Sequence, residues 1–388
     1  MQHPRAKKIL VVTRNLPPLV GGMERLNWHM ADELSKQAEV KVVGPKGAAP
    51  LKPEAVTITE APLKPLPLFL SAAFLQSLWI ALRWKPDVIL AGSGLTAPIA
   101  WLISKVCGAH SAAYLHGFDI TVKNRLYQNL WAPTFKRIER IIANSTPTKE
   151  LALAAGVPEQ KINIVYPGVN LPEYSQTAAN IAAFKLQHGL ENKKVLISVG
   201  RLTTRKGLKE FVERALPYII QQVPEAILVV VGEAPKNSLG AGIQSRESIE
   251  RAAKALKLQN HIKFLGVITD RALLATAYEA SDVHVFPVRH IVDDPEGFGM
   301  VAIEAAAHGL ATVAFATGGI VDAVRNNISG YLVDSDNYSE LGEKVVACIQ
   351  KPLPATTIQT FAQKFAWGNF GKHMFSNTVN ISRPPNNE

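Results

Sequence analysis

Short β-branched, apolar runs alternate along the chain with stretches in which apolar residues return every three or four positions. The first pattern suits strands and the second suits amphipathic helices. In the first half, strands are predicted over Lys8–Thr13, Val40–Val43, Asp87–Ala91, Ser111–Leu115, Arg140–Ala143 and Lys161–Val165. Helices fall between them, notably over Glu24–Gln37 and Glu150–Ala155. After Pro172–Leu190 the alternation begins again, with strands over Lys194–Val199, Ala226–Val231, Ile262–Leu265, Val283–Phe286, Ala311–Phe315 and Gly330–Val333. Such alternation is the sequence form of βαβ units, and its restart predicts a second doubly wound α/β domain.

The turn-rich segment Pro167-Gly168-Val169-Asn170-Leu171-Pro172 separates the two series. It predicts domains over residues 1–170 and 171–388. Aromatic residues at helical spacing in Phe361–Phe375 predict a late helix, which either packs on its own domain or crosses back to the first. A length of 388 residues also favours two domains.

Charge changes this picture. The net charge is +10, and residues 1–170 hold 20 Lys and Arg against 11 Asp and Glu. That is a surplus of nine, so attraction to anionic partners belongs to the first half. The basic residues are scattered and no zinc-ligand spacing or aromatic-basic motif accompanies them, so no nucleic-acid partner is expected. Two cysteines, Cys107 and Cys348, do not make a disulfide framework. The apolar run Ile9–Val12 is too short for a signal-peptide core. Leu66–Leu82 falls short of the ~20 residues that span a bilayer. A cytoplasmic protein is expected. The wider stretch Pro62–Trp84, with Phe69, Phe74, Trp79 and Trp84, reads first as a buried helix of the first domain and second as a face that touches an anionic membrane.

Four positions carry candidate chemistry. Gly21-Gly22 precede a helix opening at Met23-Glu24, where backbone N–H groups favour anions. Gly200-Arg201-Leu202-Thr203-Thr204-Arg205-Lys206-Gly207 follows a strand directly. Ligands of open α/β sheets bind beyond the carboxyl ends of strands, which places Arg201 and Lys206 where a diphosphate is expected. The run Glu296-Gly297-Phe298-Gly299-Met300-Val301-Ala302-Ile303-Glu304 opens an alanine-rich helix ended by Gly309. Its start offers N–H groups to phosphate, while Glu296 and Glu304 suit hydroxyl groups, because a carboxylate repels a diphosphate. His116-Gly117-Phe118-Asp119 follows the strand Ser111–Leu115 at another carboxyl end. Asp293-Asp294 lack the Asp-x-Asp spacing of metal-using transferases, so no metal is expected.

Together these residues resemble the family 4 glycosyltransferases, over nearly the whole chain. They comprise Gly21-Gly22, His116-Gly117, Arg201-Leu202, Lys206-Gly207, the pair Glu296 and Glu304, and Gly318-Gly319. Phe286-Pro287 through Asp293 and Glu296–Gly299 look most similar to the phosphatidylinositol mannosyltransferase branch. The resemblance implies the GT-B fold, two facing Rossmann-like domains with an interdomain cleft. It implies a retaining hexosyltransferase using a nucleotide diphosphate sugar, with GDP-mannose favoured and a UDP-sugar next. The acceptor implied is lipid-linked or a polysaccharide, as in cell-envelope polysaccharide biosynthesis, and the enzyme would sit in the cytoplasm or peripherally on the inner face of the membrane.

By the same resemblance, Arg201 and Lys206 stabilise the leaving diphosphate and Glu296 holds sugar hydroxyls. Phe298, Gly299, Met300 and Val301 present backbone to the donor, and Glu304 binds the ribose. His116 assists the transition state, Gly22 lies near the donor phosphate, and Gly21, Gly22 and Asp119 lie on the acceptor side. No cofactor is required in this scheme. The rival readings are a non-catalytic nucleotide-sugar-binding subunit and another GT-B enzyme, such as an epimerase or a phosphorylase.

Overall fold

The computed structural model describes residues 5–235, 242–291 and 294–381. The chain divides into two compact units, one of residues 1–168 with 367–388 and one of residues 169–366.

The first unit is built on a seven-stranded parallel sheet. Its strands are β1 (Lys8–Val12), β2 (Glu39–Pro45), β3 (Thr57–Ala61), β4 (Val88–Ala91), β5 (His110–Leu115), β6 (Arg140–Ala143) and β7 (Ile162–Ile164), in the order β3-β2-β1-β4-β5-β6-β7. Val11 stands opposite Val42 on one side and Leu90 on the other, and β1 and β4 are buried almost throughout. Apolar runs without polar alternation suit strands covered on both faces. The order reverses between β1 and β4, and loops at the carboxyl ends of strands flanking such a switch point form the usual ligand crevice.

The second unit repeats the plan with β8 (Lys194–Val199), β9 (Ala226–Val231), β10 (Ile262–Gly266), β11 (Val283–Phe286), β12 (Thr312–Phe315) and β13 (Gly330–Val333). Its order is β10-β9-β8-β11-β12-β13, which places the switch point between β8 and β11.

Three features differ from the sequence reading. Strand β3 was not predicted; its sequence Thr-Ile-Thr-Glu-Ala is half polar because it is the sheet edge. The expected helix over residues 361–375 is two helices, Ala355–Gln363 and Trp367–Val379. The second belongs to the first unit, where Trp367 stacks on His29 at 3.9 Å and Gly371 lies against Glu33, so residues 367–388 leave the expected 171–388 domain.

The third difference is the Leu66–Trp84 helix, expected to be mainly buried. It is 19 residues long and, by length and composition alone, apolar enough to cross a membrane. Phe69, Ala73, Ser77 and Ile80 pack inward, at spacings that form one stripe. Leu68, Leu75, Trp79 and Leu82, at spacings of seven, four and three, form an exposed apolar stripe instead of a polar one.

Candidate functional site

The site in the second unit begins where β8 ends. Gly200 takes φ +142°, and Gly232, after β9, approaches so closely that a Cβ there would collide with the Gly200 carbonyl. The chain then makes a single turn over Thr204–Lys206 and enters the Leu208–Arg214 helix through Gly207. At φ +66°, and with the Pro287 carbonyl where a Cβ would stand, position 207 accepts only glycine without rearrangement. The loop after β8 is thereby pressed against the loop after β11. A backbone hydrogen bond joins them, Arg289 N donating to the Arg205 carbonyl at 2.8 Å.

This contact assembles a charge cluster. Lys206 Nζ lies 2.8 Å from Glu296 Oε2 and 4.5 Å from the centre of the Phe286 ring. Arg205 Nη2 lies 3.7 Å from the same carboxylate oxygen, and its Nη1 is 3.4 Å from Asp294 Oδ1. Arg201, exposed, shares a cavity of about 10 Å³ with Lys206, Gly200 and Phe286. The Lys206 and Glu296 side chains are only 18% and 12% exposed.

The two ends of the pair shift for different reasons. Burial lowers the Lys206 pKa, and the neighbouring arginines add to the fall, against the pull of Glu296. Burial would raise the Glu296 pKa, yet Lys206, Arg205 and Arg201 outweigh it and bring it down to about 2. The depressed Glu296 carboxyl, with the three cations Arg201, Arg205 and Lys206 set against the two carboxylates Glu296 and Asp294, marks surplus positive charge, the condition an anionic ligand requires.

Glu296 is aimed by the backbone of Gly318-Gly319. Gly319 N donates to the Glu296 carbonyl at 2.9 Å. Any Cβ on Gly318 or Gly319 would collide with the Glu296 or Gly297 main chain, which explains the glycine pair after β12. The Met300–Ala307 helix follows from Gly299, at φ +86°, and no side chain caps its start. A Cβ on Gly299 would press on the Phe286 ring at 3.0 Å, so the helix start and the Lys206 ammonium share one aromatic neighbour. Phe298 is buried, whereas Met300 and Val301 are half-buried. Glu304, half-buried two turns on, accepts from the Tyr278 hydroxyl at 3.4 Å. The structure thus brings Arg201, Lys206, Glu296, Phe298 and Gly299 together and gives Glu304 a different neighbourhood. Asp293 lies outside the described residues, and Asp294 faces Arg205.

In the first unit the candidate residues gather at the carboxyl ends of β1, β4 and β5. His116 Nε2 lies 3.0 Å from the Gly92 carbonyl, and Asp119 Oδ2 accepts from His116 N at 3.0 Å. A carbonyl oxygen only accepts, so His116 carries a proton on Nε2. His116 and Asp119 are both buried. Gly92 is wedged against Asn27 and Thr13, which links His116 to the helix starting at Gly22. Gly22 is exposed with open space about it, while Gly21 lies against the Glu24 carboxylate, itself bonded to Asn15.

Sequence reasoning gave no role to Phe286 or Arg289, both within the Phe286–Asp293 run, and none of its own to Arg205. Arg205 stands in the same basic loop as Arg201 and Lys206, and nothing local distinguishes the three. The collision at Gly207 was the available signal that this loop meets another backbone, but its partner lies 80 residues on.

Two family models match the chain, "Glycosyltransferase Family 4" over residues 20–173 and "Glycosyl transferases group 1" over residues 180–365. A GDP-mannose-dependent alpha-(1-6)-phosphatidylinositol monomannoside mannosyltransferase of Mycolicibacterium smegmatis is 26% identical, over 93% of this chain and 94% of that protein. A D-inositol 3-phosphate glycosyltransferase of Geodermatophilus obscurus is 29% identical, over 72% of this chain and 63% of that one. Among solved structures, Anabaena HepE in complex with UDP superposes with a TM-score of 0.78 at 21% identity, over 95% of this chain and 98% of that one. A glycosyltransferase from Rickettsia africae superposes with a TM-score of 0.79 at 21% identity, over 98% of this chain and 100% of that one. With one model on each doubly wound unit and the GT-B fold over nearly its full length, the chain belongs to the family 4 glycosyltransferases.

Proposed function

We propose that the protein is a retaining hexosyltransferase that takes its sugar from a nucleoside diphosphate donor, with GDP-mannose first and a UDP-sugar second. The observation that carries this reading is the surplus positive field around Lys206 beside the start of the Met300 helix. Departure of a nucleoside diphosphate leaves an oxocarbenium-like sugar and concentrates negative charge on phosphate oxygens. Cations and helix N–H groups already in place act on that charge without reorganising. Arg201 and Lys206 are assigned to the diphosphate, Glu296 to sugar hydroxyls, Glu304 to the ribose, and the backbone of Phe298 to Val301 to donor contacts. His116 is assigned to the sugar, and Gly21, Gly22 and Asp119 to the acceptor side. In a retaining reaction of this kind a donor phosphate oxygen takes the acceptor proton, so no protein base is needed. Arg and Lys supply the charge a divalent ion would otherwise supply. GDP-mannose is favoured because the mycobacterial relative uses it by name.

A lipid-linked acceptor at an anionic membrane surface completes the reading. Its support is the exposed stripe Leu68, Leu75, Trp79 and Leu82, with Leu102 and Val106 exposed on the neighbouring Ala97–Cys107 helix and Arg83 and Lys105 beside them. Exposed apolar side chains with cations beside them suit the boundary between acyl chains and anionic headgroups.

The test is a thermal-shift panel of nucleotides and nucleotide sugars, followed by turnover of the stabilising donor with envelope lipid extracts and anomeric assignment of the product by NMR. A stabilising donor and a product of retained configuration support the reading. No shift with any nucleotide sugar, or an inverted product, refutes it. Sedimentation with anionic vesicles, lost in Leu75→Ser/Trp79→Ser, tests the membrane face; equal sedimentation by both proteins refutes it.

A further inference from the structure

We propose that Arg205 is a positioning residue for recognition of the donor sugar: it holds the segment from Asp294 to Glu296 so that the Glu296 carboxylate stands beside Lys206. The proposal rests on the donor-site reading above.

Arg205 adjoins Lys206 in the turn after β8, yet its side chain turns to other partners and is only 13% exposed. Its Nη1 donates to the Pro295 carbonyl at 2.7 Å and lies 3.4 Å from Asp294 Oδ1, while Nη2 lies 3.7 Å from Glu296 Oε2. One planar group therefore engages three consecutive residues through two nitrogens. A lysine ammonium is a single point and cannot span that set.

The main chain of Arg205 works on the same loop. Its carbonyl accepts from Arg289 N at 2.8 Å, and Arg289 is in turn fixed by Glu210, with Nη1 and Oε1 2.7 Å apart. A single residue thus fastens the loop after β8 to two points of the loop after β11, one before and one after residues 292–293. Gly319 holds Glu296 from its carbonyl side, and Arg205 holds the same segment from Pro295 and from the carboxylate.

The geometry separates two duties. Phosphate affinity depends on Arg201 and Lys206, whereas Arg205 is committed to the Glu296 segment, whose place and charge it holds together with Gly319 and Lys206. Arg205 Nη1, committed to the Pro295 carbonyl, acts on the segment by a hydrogen bond, and the guanidinium acts on Glu296 through its field. Arg205 is also one of the cations that hold the Glu296 carboxyl well below the ordinary range, so removing its charge should raise that pKa.

Wild type, Arg205→Met and Arg205→Lys are compared by calorimetry with the free nucleoside diphosphate and by kcat and KM with the active donor. Arg205→Met should keep nucleoside diphosphate affinity within about threefold while kcat falls by about tenfold or more, as expected for loss of an oriented group acting on the sugar. Arg205→Lys, which keeps the charge and loses the fork, should keep nucleoside diphosphate affinity and recover only part of kcat. A purely architectural residue would not separate nucleotide affinity from the rate in this way.

Loss of nucleoside diphosphate affinity in Arg205→Met as large as in Lys206→Met would make Arg205 a phosphate ligand and overturn the proposal. Unchanged kcat in Arg205→Met would overturn it too. Should Arg205→Met fail to fold, Arg205→Lys decides alone: full wild-type kcat refutes, and reduced kcat with wild-type nucleotide affinity supports. Wild-type protein that binds no nucleotide would sink the donor-site reading itself, and this proposal with it.

Discussion

Lys206→Met keeps the apolar stem of the side chain and removes its charge from the centre of the cluster. A hydrogen bond to a charged group contributes about 1.5–3 kcal/mol, so affinity for a nucleoside diphosphate should fall by roughly 10- to 150-fold. Stability should fall as well, because Glu296 loses the partner at 2.8 Å. Breaking a buried ion pair costs ~3–5 kcal/mol. Here Arg205 at 3.7 Å and the nearby Arg201 still face the carboxylate, so the cost should lie below that range. The Glu296 pKa should climb from about 2 toward its ordinary value.

The two effects separate in a thermal-shift titration, where each protein is its own reference. A ligand at 100 times its Kd stabilises by ~2.7 kcal/mol; after a 100-fold loss of affinity the same concentration gives ~0.4 kcal/mol. For a domain of this size that is a drop from roughly 5–11 °C to about 1–2 °C. Raising the salt should shrink the wild-type shift and leave the residual shift of the variant nearly alone. A variant that retains the full wild-type shift would refute the assignment of Lys206 to the diphosphate and the electrostatic reasoning behind it.

Acid should destabilise the protein through His284, which is fully buried on β11 with Nδ1 3.0 Å from the Thr312 hydroxyl. Burial, aided by Lys206, depresses its pKa from 6.5 to about 3. The unfolded chain therefore binds the extra proton first. Stability is intact above pH ~6.5 and is lost as pH falls toward the folded value, by ~2–3 kcal/mol at pH 4.5. Urea denaturation of wild type and His284→Gln between pH 7 and pH 4.5 checks this, since the variant should lose that part of the slope; equal slopes would refute it. Turnover should also persist in excess EDTA, because the diphosphate is assigned to Arg201 and Lys206. Loss of turnover restored by magnesium or manganese would show that the cations do not replace a metal.

Twelve of the thirteen strands among the described residues were legible in the sequence, because a buried parallel strand must be locally apolar and that requirement is written in consecutive residues. The one left over, β3, is recognisable only through its partner β2, since Thr-Ile-Thr-Glu-Ala carries no such run. The same limit appears at the C-terminus. Helical spacing marked residues 361–375, but the break before Trp367 and the packing of Trp367 on His29 depend on a residue more than 300 positions away.

At the site, the sequence by itself determined the chemical types. A basic loop after one strand and a glycine-flanked acid before an alanine-rich helix are local patterns with a physical meaning. Only the tertiary structure decided how those charges are divided. Lys206 and Glu296 are 90 positions apart and share a hydrogen bond, while Arg205, adjacent to Lys206, spends its guanidinium on Pro295 and Asp294. The helix of residues 66–84 makes the same point, for its composition gave no sign of which stripe meets the core. Local order depends on residues a few positions apart, whereas charge pairing and burial depend on what the fold carries across the chain, and a linear pattern does not contain that distance.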